Sequence, residues 1–320
     1  MAESKAPRFL QTGMTDPAVE HAAAIAALLA DRPSIAPKFF YDHLGSTLFE
    51  AITELPEYYP TRTEASIFAA HATAMAEAVG SAMALIDLGA GNCAKAAGLF
   101  PLLEPRRYIA IDISVEFLRD ALRRLQREHP QLDIVGLGQD FSSAIELPPE
   151  LVGEARPVFF YPGSSIGNFS GGEALAFLQR VRARAAGGGL LIGVDLVKPS
   201  GVLDAAYDDA LGVTAAFNRN ALRHLNRRIG SDFDVRQWRH VAFFSAAASR
   251  IEMHLEAREA LTVAWPGGRR IFAAGDRIHT ENSHKYDISG FSALLEKAGF
   301  RAPRHWTDAA GWFAVFWAVA

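Results

Sequence analysis

The segment Ile86-Asp87-Leu88-Gly89-Ala90-Gly91-Asn92 ends an apolar run and stands just before a helical pattern. Glycines at such a junction permit a tight turn and let a ligand approach the backbone closely. Twenty-one residues after Gly91, Asp112 closes the run YIAID, where a carboxylate can accept hydrogen bonds from both hydroxyls of a ribose. Asp140 and Phe141 follow another apolar run, placing an acceptor for an adenine amino group beside a ring that can stack on the base. Together these positions imply an adenosine ligand. Each also has a plainer reading, Asp112 as a solvated strand-end carboxylate and Asp140 as the cap of a Ser-rich helix start. Asn92-Cys93-Ala94 occupies the place where a dinucleotide fingerprint has its third glycine, so the turn is not built to seat a pyrophosphate. That favours S-adenosylmethionine over NAD.

Other chemistry-bearing residues are weaker candidates. His279, Glu281 and His284 invite a metal, but the histidines stand five apart, not the four that align two ligands on one helix face; no metal is expected. Cys93 borders the glycine loop without a clear histidine partner, and reads as a small thiol packing the turn rather than a nucleophile.

The elements that must hold these residues alternate from residue 63 onward. A helical stretch TEASIFAAHATAMAEAVG precedes the strand ALIDL, a helix near AKAAGLFPLL, the strand RYIAIDI and the helix VEFLRDALRRLQREH. Strands near LDIVGL and VFFYP, the helix EALAFLQRVRARAA and the strand LLIGVDLV follow. This order predicts a doubly wound, Rossmann-like parallel sheet. Gly187 to Gly189 read as a helix-to-strand turn, since a phosphate cradle needs the reverse order. After Val197 the alternation stops for a long helical stretch and strand-like runs such as RIEMHLEA and ALTVAW. It resumes with ISGFSALLEKAGF, RHWTD and WFAVFWAV, the tail that a class I methyltransferase sheet uses to close with an antiparallel hairpin. The expected α/β fold is therefore that sheet, residues 63–196 and 286–320, with an inserted α+β substrate-binding domain from residues 1–62 and 197–285.

With half of its 320 residues hydrophobic and about a fifth charged, the chain can bury a large core. A net charge of -4 gives no global attraction to nucleic acid or anionic membranes. Cys93 alone cannot form an intrachain disulfide, residues 1–34 lack the order of a signal peptide, and no run approaches the roughly 20 apolar residues of a membrane span. A cytoplasmic monomer is expected, with neither nucleic acid nor membrane as partner.

A different kind of signal lies in longer motifs. Pro37-Lys38-Phe39-Phe40-Tyr41-Asp42, Gly45-Ser46, Leu48-Phe49 and Leu55-Pro56-Glu57-Tyr58-Tyr59-Pro60-Thr61-Arg62-Thr63-Glu64 resemble the N-terminal block of the histidine Nα-methyltransferases of ergothioneine biosynthesis. The resemblance continues through Tyr161 to Phe169, Asp195 to Lys198, Ala206 to Asp209, Gly212 to Thr214, Phe217-Asn218, Arg250 to Met253 and Thr280 to Ser283.

It implies three successive methyl transfers from S-adenosylmethionine to L-histidine, through mono- and dimethylated intermediates, to the trimethylated betaine hercynine. On the cofactor side it implies Gly89, Lys95, Asp112, Asp140 and Phe141, with Tyr41 and Phe49 covering the cofactor and Tyr41 within reach of the chemistry. On the substrate side it implies Asn168 and Tyr207 for the histidine carboxylate and Glu281 and Ser283 for the imidazole, with Tyr58, Gly163 and Met253 as further pocket positions. Read without the resemblance, Asn168 is a turn residue, Tyr207 a surface helix residue, Glu281 a helix cap, Tyr58 a packed aromatic, Met253 a core residue and Lys95 a surface charge. A relative acting on another amine, a noncatalytic nucleotide-binding module and a dehydrogenase are the alternatives; the missing third glycine counts against the last.

Overall fold

The computed structural model describes residues 6–12 and 16–320. The part of the N-terminal expectation that falls on residues 1–5 and 13–15 lies outside them. In chain order the strands are β1 (Arg8–Gln11), β2 (Ala84–Leu88), β3 (Arg107–Asp112), β4 (Asp133–Gly138), β5 (Pro157–Tyr161) and β6 (Gly189–Asp195). After them come β7 (Trp238–Ser245), β8 (Arg250–Ala257), β9 (Leu261–Trp265), β10 (Gly268–Phe272), β11 (Arg277–His284), β12 (Arg301–Thr307) and β13 (Phe313–Val319). They fall into two compact units. The first comprises Pro60–Val197 and Lys285–Ala320 with the described residues before position 13; the second comprises the described residues from 16 to Tyr59 and Lys198–His284.

The first unit is built on an eight-stranded sheet of order β1-β4-β3-β2-β5-β6-β13-β12. Strands β1 to β6 run parallel, and β13 pairs antiparallel with both β6 and β12. This is the class I methyltransferase arrangement with its terminal hairpin. Period-two alternation explains why its strands read as unbroken apolar runs: Ile86, Leu88, Ile109, Ile111, Val135 and Leu137 feed one core, while Leu85, Tyr108, Ala110 and Ile134 feed the core on the other face. The chain winds from β2 through β3 to β4 in one direction and from β5 to β6 in the other. The order thus reverses between β2 and β5, where open α/β sheets gather ligands at the carboxyl ends of their strands.

The sequence reading placed residues 1–62 whole with the insertion, whereas Arg8–Gln11 pairs in register with Val135 to Gly138. Phe9 is accommodated by a missing side chain, since a Cβ on Gly136 would stand 2.6 Å from its ring. Arg119 lies over the same ring at 4.4 Å, and Arg8 pairs with Asp133 at 3.2 Å. A strand of four residues shows too little alternation to be seen beforehand. The GGG turn behaves as expected: Gly187 takes φ +78°, and a Cβ on Gly188 would collide with the Pro157 carbonyl.

In the second unit β11, β8 and β7 form an antiparallel sheet in that order, and β9 and β10 form a hairpin. One face of β8 carries Ile251, Met253, Leu255 and Ala257, all buried. The helices Ser200–Tyr207 and Val213–Ile229 replace the single long helical stretch of the sequence reading. They break because the Asp209 carboxylate accepts from the Val213 and Thr214 amides at 3.0 and 2.8 Å, behind a left-handed Gly212.

Candidate active site

The loop after β2 is held by the neighbouring strand. The Gly89 and Ala90 amides both donate to the Ile111 carbonyl, at 2.9 and 3.1 Å, and Gly89, Gly91 and Cys93 take positive φ of 70°, 53° and 65°. Asp112 closes the arrangement: its Oδ2 accepts from the Gly91 amide at 2.9 Å and its Oδ1 from the Ser114 amide at 2.8 Å. It is 9 % exposed, so it is not a solvated strand-end acid, and burial raises its pKa. Each oxygen keeps a further lone pair, and nothing lies within 4 Å of where a Cβ on Gly91 would stand. A buried acceptor beside open space at a glycine turn fits the ribose of an adenosine group. Phe141 is brought to the same loop, its ring 3.6 Å from the Cβ position of Gly89 and edge-on to Tyr161 at 5.9 Å. The Asp140 carboxylate accepts from the Ser142 amide at 3.1 Å within a turn; no helix starts there, so Asp140 is not the helix cap of its plainer reading.

Sequence reasoning missed two acids beside this loop. Asp87, on β2, accepts from the Tyr108 hydroxyl at 2.6 Å, and its Oδ1 has no hydrogen-bond partner among the described residues. Burial pushes its pKa up to about 7 against the lowering effect of Tyr108. Glu64, on the helix Tyr59–Val79, pairs with Lys95 at 2.6 Å and accepts from the Gly163 amide at 2.8 Å. Neither was visible because an acid inside an apolar strand, or on a helix rich in alanine, carries no local sign of its partner. Cys93 is buried and its thiol is pushed far up by that burial, which leaves no thiolate for nucleophilic chemistry.

The loop after β5 turns at Gly163 and Ser164, both with positive φ, and leads into the short turn Ser165–Asn168. The Ser164 hydroxyl accepts from the Asp195 amide at 2.8 Å, and Asp195 in turn pairs with Lys285 at 2.8 Å with both side chains fully buried. Asn168 stands at the end of this stitched turn, half-buried.

The other candidate substrate residues belong to the second unit. A β-bulge between His279 and Glu281 adds Thr280 to β11, whose hydroxyl donates to the Met253 carbonyl at 3.0 Å. Beyond the bulge Glu281 opposes Met253 and Ser283 opposes Ile251, so both point to the buried face of β8. The Tyr207 hydroxyl lies 2.8 Å from Ser283 Oγ, and the Tyr207 carbonyl lies 2.8 Å from His240 Nε2. His240 Nδ1 faces the Asn218 amide nitrogen at 2.8 Å. Nδ1 therefore accepts and Nε2 donates, a neutral tautomer that agrees with the lowering of its pKa by burial. Asn218, named in the sequence only as part of a motif, and His240, not singled out there, fix the backbone that carries Tyr207.

An aromatic row continues from there. Tyr58 packs edge-on against Tyr207 at 6.2 Å, Phe49 against Tyr58 at 6.2 Å, and Tyr41 against Phe49 at 6.0 Å, with Phe217 touching Tyr41 and Phe49. The segment is anchored by Asp42, which accepts from the Gly45 and Asn220 nitrogens at 2.7 Å each and pairs with Arg227. Gly45 has no room for a Cβ, which would meet the Phe40 carbonyl oxygen at 1.6 Å. Within this unit Tyr41, Phe49, Tyr58, Tyr207, Met253, Glu281 and Ser283 are thus linked through neighbouring contacts. Gly89, Lys95, Asp112, Phe141 and Gly163 are linked in the same way within the first. Among the described residues no group of three or more His, Cys, Asp or Glu could hold a metal, and no helix is long and apolar enough to cross a membrane.

Residues 20–320 match the protein family described as histidine-specific methyltransferase, SAM-dependent. The chain is 41 % identical over 301 residues to the histidine N-alpha-methyltransferase of Mycolicibacterium smegmatis, covering 92 % of each chain. It is 39 % identical over 289 residues to the protein of the same name from Mycobacterium tuberculosis, covering 88 % of this chain and 89 % of that one. It is also 30 % identical over 305 residues to ergothioneine biosynthesis protein 1 of Neurospora crassa, covering 86 % of this chain and 32 % of that longer one.

Proposed function

The chain belongs to the histidine-specific, S-adenosylmethionine-dependent methyltransferase family, and from that premise we propose that it methylates the α-amine of L-histidine three times to give hercynine. S-adenosylmethionine, when bound, supplies an electrophilic sulfonium methyl and leaves as S-adenosylhomocysteine. The chain's own part is binding, orientation and proton handling, since an in-line displacement by an amine gains chiefly from alignment in a preorganised site. Asp112 holds the ribose hydroxyls, Phe141 and Asp140 address the adenine, and Gly89 and Lys95 complete the cofactor side. Tyr41 and Phe49 cover that ligand, and the Tyr41 hydroxyl relays the proton lost by the amine in each cycle.

The observation that carries the histidine reading is the bulged pairing of β11 with β8, which sets the Glu281 carboxylate and the Ser283 hydroxyl on one buried face beside Met253. A carboxylate accepts from one imidazole N–H while a hydroxyl serves the other nitrogen, so both ring nitrogens are paired. Asn168, Tyr207 and the Gly163 backbone receive the carboxylate, and Tyr58 lines the pocket.

Mass spectrometry of histidine incubated with the protein and S-adenosylmethionine is the test. The expected product carries three added methyl groups; histidine recovered unchanged would refute the activity, and accumulation of a monomethyl product would refute the threefold transfer.

A further inference from the structure

Glu64 is an acid at 1 % exposure that neither the glycine loop nor the acceptor pocket explains. Its two oxygens are used separately. Oε2 lies 2.6 Å from Lys95 Nζ, one turn after the glycine loop, and Oε1 accepts from the Gly163 amide at 2.8 Å in the loop after β5. The fold makes room for it, because a Cβ on Gly193 would stand 2.1 Å from Oε1. Gly163 takes φ +75°, and a Cβ there would come within 3.1 Å of Lys95 Nζ. A lysine, a carboxylate and a left-handed backbone turn are therefore packed together at the carboxyl ends of β2 and β5, on either side of the point where the strand order reverses.

We propose that Glu64 is a positioning residue for both ligands, setting the Lys95 ammonium for the cofactor through one oxygen and the Gly163 turn for the amino-acid substrate through the other. The assignment rests on the function proposed above. The physical reason is that a charge-assisted pair and a charged acceptor on a backbone amide are both strong constraints in a water-poor site. The carboxylate restricts Lys95, whose side chain is 35 % exposed and would otherwise sample solvent. It also satisfies a backbone amide in a conformation that few residues adopt.

The two oxygens can be separated by mutation. Glu64→Gln keeps an acceptor for the Gly163 amide but loses the attraction for Lys95. Glu64→Ala loses both. Calorimetric titration with S-adenosylhomocysteine and steady-state assays with histidine should show a Kd for S-adenosylhomocysteine weaker by about tenfold in Glu64→Gln, with KM for histidine within about twofold of the wild type. In Glu64→Ala the histidine KM should rise by about tenfold as well. In a Lys95→Met background Glu64→Gln should have no further effect on S-adenosylhomocysteine, because its partner is already gone. This cycle stands even where Glu64→Ala does not fold. Persistence of the Glu64→Gln loss in the Lys95→Met background, or a wild-type-like Glu64→Gln, overturns the assignment alone. A wild-type chain that binds neither ligand overturns instead the function on which it rests.

Discussion

Tyr207 and Ser283 meet hydroxyl to hydroxyl at 2.8 Å, one from the end of a helix and the other from a strand, 76 residues apart in the chain. Two hydroxyls at this distance form one hydrogen bond, in which either can donate, and so orient each other. Removing either deprives the other of that contact in a buried setting, a loss of about 1–2 kcal/mol. Ser283→Ala and Tyr207→Phe should each lower kcat/KM for histidine by roughly tenfold while leaving S-adenosylhomocysteine affinity unchanged. The double variant should lose less than the sum, with a coupling of about 0.5–2 kcal/mol. Strict additivity in the steady-state cycle would show that the two hydroxyls act independently.

Asp112 serves two backbone amides at once, so Asp112→Asn cannot be neutral. One amide of the side chain becomes a donor facing either the Gly91 or the Ser114 N–H, at positions now 2.9 and 2.8 Å from the carboxylate. Affinity for S-adenosylhomocysteine should fall by about tenfold or more, equivalent to about 1–3 kcal/mol. Histidine analogues should titrate as before. An unchanged calorimetric Kd would remove Asp112 from the cofactor side.

The glycine turn and the strand-end place of Asp112 were legible because strand, turn and helix follow one another directly. Met253 shows the limit. Its alternation in RIEMHLEA correctly marked a buried position, but only the pairing with Glu281 reveals that an acid shares its face. That pairing depends on an extra residue in β11, and a bulge has no signature until the partner strand is known. Strand β1 was missed for a related reason, since its partner lies more than a hundred residues away and its four residues carry almost no pattern. Glu64 stood in the sequence only as the end of the N-terminal block, with no role of its own, because its partners, Lys95 and Gly163, are set by tertiary packing alone.

Gly193 occupies the middle of β6, between Glu64 and Phe313. A methyl group there would stand 2.1 Å from Glu64 Oε1 and 2.9 Å from the Phe313 ring, so one neighbour must move. Overpacking of this kind costs about 1–3 kcal/mol. Gly193→Ala should lower the melting temperature by roughly 2–10 °C, whereas Gly201→Ala, with open space around its Cβ position, should not. Equal melting curves for the two variants in differential scanning calorimetry would show that β6 tolerates the added methyl.

Asp87 predicts a pH dependence of stability. In the unfolded chain an aspartate titrates near its ordinary value of about 3.9. In the fold, burial raises it to about 7 while the Tyr108 hydroxyl partly offsets that rise. The native state therefore holds this proton over a range in which the unfolded chain has lost it. Its contribution to stability is complete below about pH 4 and is lost progressively as the pH rises toward 7, after which it is constant. Asp87→Asn keeps an acceptor for Tyr108 and removes the titration, so the variant should lose less stability than the wild type between pH 5 and pH 8. The difference should be on the order of a few kcal/mol at most. Chemical denaturation at the two pH values measures it directly. A wild type and variant that lose equal stability over this interval would place the Asp87 titration outside it.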